Sequence, residues 1–502
     1  MKDKFRRAGT ESHSFFSVGY FALFCYGFGQ SLTSLIVRMK KFLSFLFSII
    51  CIARLASGAE PVRIAIHADK PKQEFQGLGC GAIFFEGHIT SLAARGKDVR
   101  QQELYDDMFA KVPTRYLQLM IRPDHEPRND NEDPWTPTFD PANFKYCEHT
   151  LAIAKAAKAR RPDIELFATL YTPPAWMKTN NSESGGGQAK GTLKPGLDLE
   201  LAEFIWAFLD HMASNGTPIQ WLSIANEPDW PHEQPGYFLT ADRDAQLFKT
   251  VSDYLDKMSL THRMPKPKLV GPNTLSAPAA AESYVPALLR KAGPLLAAIA
   301  SHDYDMRGNR WSALQRLAGN RPLWMSEWCS RGEDPSPGQI NAATGYGMAM
   351  HEAFTGGANV WMAYDWVYPN RNAGESLIHV DWGNDYALKK PYWLFRQWAE
   401  PLVPGMRVVE SAVSGSAGTT VQPTSFLSVD GRTLVVHIVN GQDSDAAVVL
   451  TFTGRFVTAS AAARRRTSST EDDAELPSLT RGPDGFHDTL PARSMVTYRI
   501  GL

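Results

Sequence analysis

From about residue 75 the chain alternates short apolar runs with longer amphipathic ones. Eight runs have the length and the apolar content of buried strands: 75–84, 116–122, 166–171, 220–225, 268–272, 297–303, 322–327 and 358–364. The stretches between them carry helical spacing. In one, Leu201, Phe204, Ile205, Phe208 and Met212 recur on a single face of a 3.6-residue helix. Such alternation implies a parallel sheet with both faces covered. Eight units between residues 75 and 403 predict a (β/α)8 barrel. The alternative is a doubly wound open sheet, but no Gly-rich phosphate loop follows any of the eight runs.

After residue 404 the helical period stops. Short β-rich runs at 407–413, 425–429, 433–439, 446–453 and 495–500 are divided by turn signals such as Asp430-Gly431 and Asn440-Gly441. They predict a small β-sandwich over 404–502, with the charged, Ser/Thr-rich stretch 463–483 as a flexible loop. Residues 61–68 alternate like a strand, so 60–74 are expected to join that sandwich.

The first 59 residues have a different pattern. Met39-Lys40-Lys41, an apolar run over 42–53, and small residues at Ser57 and Ala59 describe a secretory signal. The run is short for a bilayer span. This predicts a leader over 1–59, with Met39 as the true start, and a secreted or periplasmic mature chain without a stable membrane span. The rival reading is an anchor through the apolar stretch 15–37.

Charge sharpens this division. The 502 residues hold 52 Lys and Arg against 53 Asp and Glu, a net of −1. That figure averages a +6 leader and a −7 remainder. An acidic remainder gives no electrostatic case for nucleic acid. Beyond the leader, Cys80, Cys147 and Cys329 are too scattered for a disulfide framework or a zinc site, though one pair is free to form if the fold joins it.

In a parallel barrel, reactive groups sit at the C-terminal ends of the strands. The fourth run ends in Asn226-Glu227-Pro228 and the seventh in Ser326-Glu327-Trp328, each with Glu at a buried strand tip. Two carboxylates facing one another across a cavity suit glycoside hydrolysis, one as proton donor and the other as nucleophile. Aromatic residues gather at the same tips: Tyr171, Trp176, Trp230, Tyr304, Trp328 and Trp366. Such rings stack on sugar C–H faces or fill the barrel mouth.

The ordered motifs resemble glycoside hydrolase family 30. Asn226-Glu227-Pro228 is similar to the acid/base motif of that family's clan, and Ser326-Glu327-Trp328-Cys329 to its nucleophile motif. The stretch 171–180 followed by 191–194, His302-Asp303-Tyr304, Asp365-Trp366, 75–79 and 401–408 resemble further family segments. The likeness spans about 75–500. It implies a retaining β-glycosidase with Glu227 as acid/base and Glu327 as nucleophile, needing no cofactor and no metal. Asn226 would bind the sugar 2-hydroxyl, and Arg122, Tyr171, Trp176, His302, Tyr304, Trp328 and Trp366 would shape the site. For Arg122 a structural salt bridge is the equal alternative. The stretch after Arg122 departs from the family pattern, so Asp124 is a candidate sugar ligand, with Asp130 and Asp133 behind it. Tyr171 stands where many members carry Trp. The partner is a carbohydrate, its sugar and linkage open. Two other readings are a non-catalytic carbohydrate-binding protein on a degenerate barrel and a β-glycosidase of another family in the clan.

Overall fold

A computed structural model describes residues 60–262, 264–305, 310–415 and 420–502. The leader and the stretch 15–37 lie outside the described residues. Among the described residues no helix is long and apolar enough to cross a membrane.

The chain enters through a long strand, β1 (Val62–Glu74). Eight parallel strands then close into a barrel: β2 (Gly77–Ala82), β3 (Tyr116–Ile121), β4 (Glu165–Leu170), β5 (Trp221–Ser223), β6 (Lys268–Thr274), β7 (Leu296–Ser301), β8 (Leu323–Trp328) and β9 (Val360–Ala363). Each falls within or across one of the eight predicted runs. The ring closes where β9 pairs with β2, Leu78 opposite Trp361. Large inward side chains fill its lower half: Tyr116, Phe167, Trp221 and Trp324 meet there with Val270 and Met362. The barrel is therefore a packed plug beneath an open mouth. The helix Asp198–Ser214 lays Leu201, Phe204, Ile205, Phe208 and Met212 into the outer core, as its spacing predicts.

Three strands follow the barrel: β10 (Asp365–Tyr368), β11 (Ser376–Asp381) and β12 (Asp385–Leu388) form a small separate sheet that sequence pattern alone does not announce. Eight more build the side domain: β13 (Arg407–Ser414), β14 (Val421–Leu427), β15 (Thr433–Asn440), β16 (Ala446–Phe452), β17 (Ala461–Thr467), β18 (Ala474–Thr480), β19 (Phe486–Leu490) and β20 (Ser494–Gly501). With β1 they make one hydrogen-bonded sheet in the order β18-β17-β20-β15-β14-β13-β1-β16-β19. As expected, β1 joins it, antiparallel to β13 and parallel to β16. The sheet curls nearly closed around its own core of Ile64, Ile66, Leu450, Phe486 and Tyr498.

The expected loop over 463–483 is a correction: much of it is the β17–β18 hairpin. Its charges are consumed by pairing. Arg464 bonds Asp488 at 2.5 Å, Arg465 bonds Asp473 at 2.7 Å, and Arg466 grips Glu471 through two nitrogens at 2.6 Å. Charge density there reads as solvation until the partners across the ladder are known.

Barrel and side sheet share apolar packing. Phe426, Val435, Val439 and Met495 of the sheet belong to the same core as the barrel's outer layer. The helix Lys390–Ala399 seals the seam. Its Trp398 stacks on His437 at 4.4 Å, and its Gln397 amide reaches Thr497 Oγ1 at 2.9 Å and the carbonyl of Met495 at 3.2 Å. Trp398 is fully buried. Trp398→Ala is therefore expected to cost about 3–5 kcal/mol, and barrel and sheet should still unfold together. Denaturant titration followed by two probes checks this; separate transitions in the wild type would contradict the shared core.

Candidate active site

Two backbone irregularities aim the carboxylates. Glu227 follows β5 with φ of +47°, a left-handed turn that lifts its side chain over the mouth. Its amide donates to the carbonyl of Asn273 at 2.9 Å. On β8, Trp324 points into the barrel, so strict alternation would send Glu327 outward beside Met325. A register shift between Met325 and Trp328 breaks the alternation. It turns Glu327 into the mouth and throws Trp328 out, as a strand bulge does.

The result is a convergent trio. Glu227, His302 and Glu327 each bring one side-chain ligand atom within 4.8 Å of the others. His302 Nδ1 lies 3.0 Å from Glu227 Oε1 and 3.8 Å from Glu327 Oε1. Tyr171 donates to Glu327 Oε2 at 2.7 Å and Tyr304 to Oε1 at 3.1 Å. All five side chains are buried or half-buried. Three such atoms match a metal's reach, but both Glu327 oxygens already accept phenolic protons, which an ion would have to displace.

Burial dominates the titration of both acids. It pushes Glu227 up to about 8, with the Arg331 charge pulling slightly the other way. It pushes Glu327 up to about 7, against the lowering pull of His302; Glu227 adds to the rise and the two phenols oppose it. His302 is driven down by burial, against the raising pull of Glu327 and Asp229.

Asn226, buried at the same strand end, completes the inner group through its amide oxygen, 3.3 Å from Asn273 Nδ2. The other expected residues divide. Trp176 is half-buried, its indole N–H anchored to the carbonyl of Glu126 at 3.0 Å. Arg122 forms ion pairs with Asp124 at 3.1 Å and Glu86 at 3.3 Å, the salt-bridge alternative. Asp124 is held by that bond; Asp130 and Asp133 accept the turn amides of their own loop.

Trp328 and Trp366 are corrections. Trp328 packs edge-on against Tyr346 in the outer core, for the register reason given above. Trp366 is fully buried between Phe109 and Phe395. The eighth-strand ring beside the site is Tyr364, packed with Ile83, Met120, Phe84 and Tyr171. A Cβ on Gly81 would lie 2.0 Å from the Tyr364 carbonyl, so glycine alone lets β2 pass beneath it. Also missed are Arg331, whose guanidinium sits 5.3 Å over the Tyr304 ring, and Trp382, half-exposed and 4.6 Å edge-on from His88. Trp382 walls a cavity of about 340 Å³ with Phe84, Phe85, His88 and Arg122. Phe84 separates that cavity from Tyr171, 4.9 Å away. The two segments 171–180 and 191–194 do meet: Lys178 pairs with Leu193, and Thr179 N–H reaches the Thr192 carbonyl at 2.8 Å. Cys80, Cys147 and Cys329 are all buried free thiols.

The described residues thus form a closed parallel barrel with a side sheet, and a glutamate stands at the tips of its fourth and seventh strands. Residues 133–239 match the family described as "Glycosyl hydrolase family 30 TIM-barrel domain". Among solved structures it is similar to the catalytic domain of a family 30 xylanase C from Talaromyces cellulolyticus, with TM-score 0.69 at 18% identity over 88% of this chain and 100% of that one. It is similar also to a family 30 subfamily 8 xylanase from Clostridium acetobutylicum, with TM-score 0.64 at 20% identity and the same coverage. Among curated proteins it is 22% identical over 212 residues to "Putative glucosylceramidase 1" of Caenorhabditis elegans; the match spans 39% of each chain.

The phenol bonds to Glu327 stabilise its charged form, so Tyr171→Phe should raise the pH at which that carboxyl ionises. A ¹³C NMR titration of labelled glutamate carboxyls reads this directly; an unchanged or lower midpoint would contradict it.

Proposed function

We propose that this chain is a retaining β-glycoside hydrolase acting by double displacement on a β-linked glycan or glycoconjugate, with Glu227 as acid/base and Glu327 as nucleophile. The observation that carries the reading is the approach of the two carboxyl groups to within 4.8 Å through their facing atoms. Retaining enzymes hold the pair roughly 5 Å apart, whereas inverting ones leave about 6.5–9.5 Å for a water.

The roles follow from the unequal partners. Two phenolic donors favour the charged form of Glu327. Among the described residues no phenol bonds to Glu227, and burial pushes it up to about 8 against about 7 for Glu327, so the shared proton resides there. In the first step a Glu327 oxygen bonds to C1 as the C1–O bond breaks, and the leaving oxygen takes the Glu227 proton. In the second, water attacks C1, gives a proton to Glu227, and Glu327 departs. Asn226 donates to the sugar beside C1. Trp230, 44% exposed on the acid/base loop, and Trp382, 50% exposed, offer faces for further sugar units. Export through the leader belongs to the same proposal, carried by the basic, apolar and small-residue pattern over 39–59.

Glu327→Gln should lower kcat on a matching aryl β-glycoside by a factor on the order of 10⁴. Glu227→Gln should cost about 10²–10⁴ on an unactivated glycoside and less on a nitrophenyl one, whose leaving group needs little protonation. Wild-type turnover in Glu327→Gln would overturn the assignment.

The pH profile has a defined sign. Activity rises as Glu327 ionises and falls as Glu227 loses its proton. The kcat/KM profile should be a narrow bell between about 7 and about 8, its alkaline limb lost in Glu227→Gln with a nitrophenyl substrate. A rate that keeps climbing above pH 9 in the wild type would contradict the roles.

A further inference from the structure

Between the two carboxylate loops stands a residue that the proposed chemistry does not use. Asn273 lies near the end of β6, fully buried, with φ of +60°. Its carbonyl accepts the Glu227 amide at 2.9 Å. Its carboxamide nitrogen is 3.3 Å from the Ala225 carbonyl and 3.3 Å from Asn226 Oδ1. Its carboxamide oxygen is 2.5 Å from Ser326 Oγ. One side chain thus joins the residue before Glu227 to the residue before Glu327.

The donor and acceptor roles in this chain follow from one fixed point. A backbone carbonyl only accepts, so the Asn273 NH₂ faces Ala225. The same NH₂ faces Asn226, so Asn226 presents its oxygen there. The Asn226 NH₂ is thereby the end left to meet a ligand. The Ser326 hydroxyl then donates to the Asn273 oxygen and ties β8 to the same strut. Without it, Asn226 is free to turn its amide over, and among the described residues the hydrogen bond left from β6 to Glu227 is the backbone one.

We propose that Asn273 is a positioning residue for the glycosidase reaction: it fixes the orientation of the Asn226 amide and the separation of Glu227 and Glu327, and it touches no substrate. The inference rests on the function proposed above. A misplacement near 1 Å at reacting groups costs on the order of 10²-fold in rate.

Asn273→Gly is the sharp test. Glycine accepts a positive φ and keeps the carbonyl that holds Glu227, so only the carboxamide strut is lost. It should lower kcat on an aryl β-glycoside about 10–100-fold with KM changed less than about threefold. Ser326→Ala, a small change that leaves the backbone alone, should lower kcat in the same direction by a smaller factor. In an Asn226→Ala background the Asn273→Gly loss should shrink, because the amide it orients is gone. Wild-type kcat in both Asn273→Gly and Ser326→Ala overturns the positioning role while the glycosidase reading stands. Losses in Asn226→Ala and Asn273→Gly that multiply in full also overturn it, since independent damage to the fold behaves that way. A wild-type enzyme that cleaves no aryl β-glycoside defeats the functional reading itself, and this inference with it.

Discussion

Two carboxyl groups within 4.8 Å of each other, both buried, cannot both be charged at ordinary pH without a large electrostatic penalty. This constraint organises the barrel mouth. The structure meets it by asymmetry rather than by removing either group. Glu327 receives two phenolic hydrogen bonds, and Glu227 faces the His302 imidazole. The pair thus holds one proton and one charge between them near neutrality, which is the division of labour that double displacement requires.

That arrangement depends on backbone features that ordinary strands lack. A left-handed Glu227, a left-handed Asn273 and a register shift in β8 all lie within the same few ångströms. Each carries a local cost, typically 1–3 kcal/mol for a non-glycine residue in such a region. The packed plug of Tyr116, Trp221 and Trp324 beneath, and the shared core with the side sheet, supply the rigidity that holds them. The side sheet is in this sense a wall of the barrel domain, consistent with a β1 that begins in one and leads directly into the other.

Much of this is legible in the amino-acid order. The eight barrel strands stand out because both faces of a parallel sheet are buried, and the two Glu tips stand out because they end apolar runs. What is not legible depends on register and on long-range partners. Trp328 looks like a cleft residue only if alternation continues unbroken, and it does not, while Trp366 is buried against Phe109 and Phe395. Tyr364 reads as the end of a strand until its contact with Tyr171 places it beside the site. The β17–β18 hairpin resembles a loop because its arginines find their acids across the ladder or on a different strand. Asn273 carries no motif at all: its four contacts join it to segments 46 to 53 residues away on either side of it.

The central claim, that the spacing of the buried pair dictates the reaction, is tested most directly by stereochemistry. Hydrolysis of an aryl β-glycoside followed by ¹H NMR from the first minutes shows which anomer of the free sugar appears first. The account predicts the β-anomer, with the α-anomer growing in only by mutarotation. Initial release of the α-anomer would mean single displacement by water and would contradict the assignment of Glu327 as nucleophile.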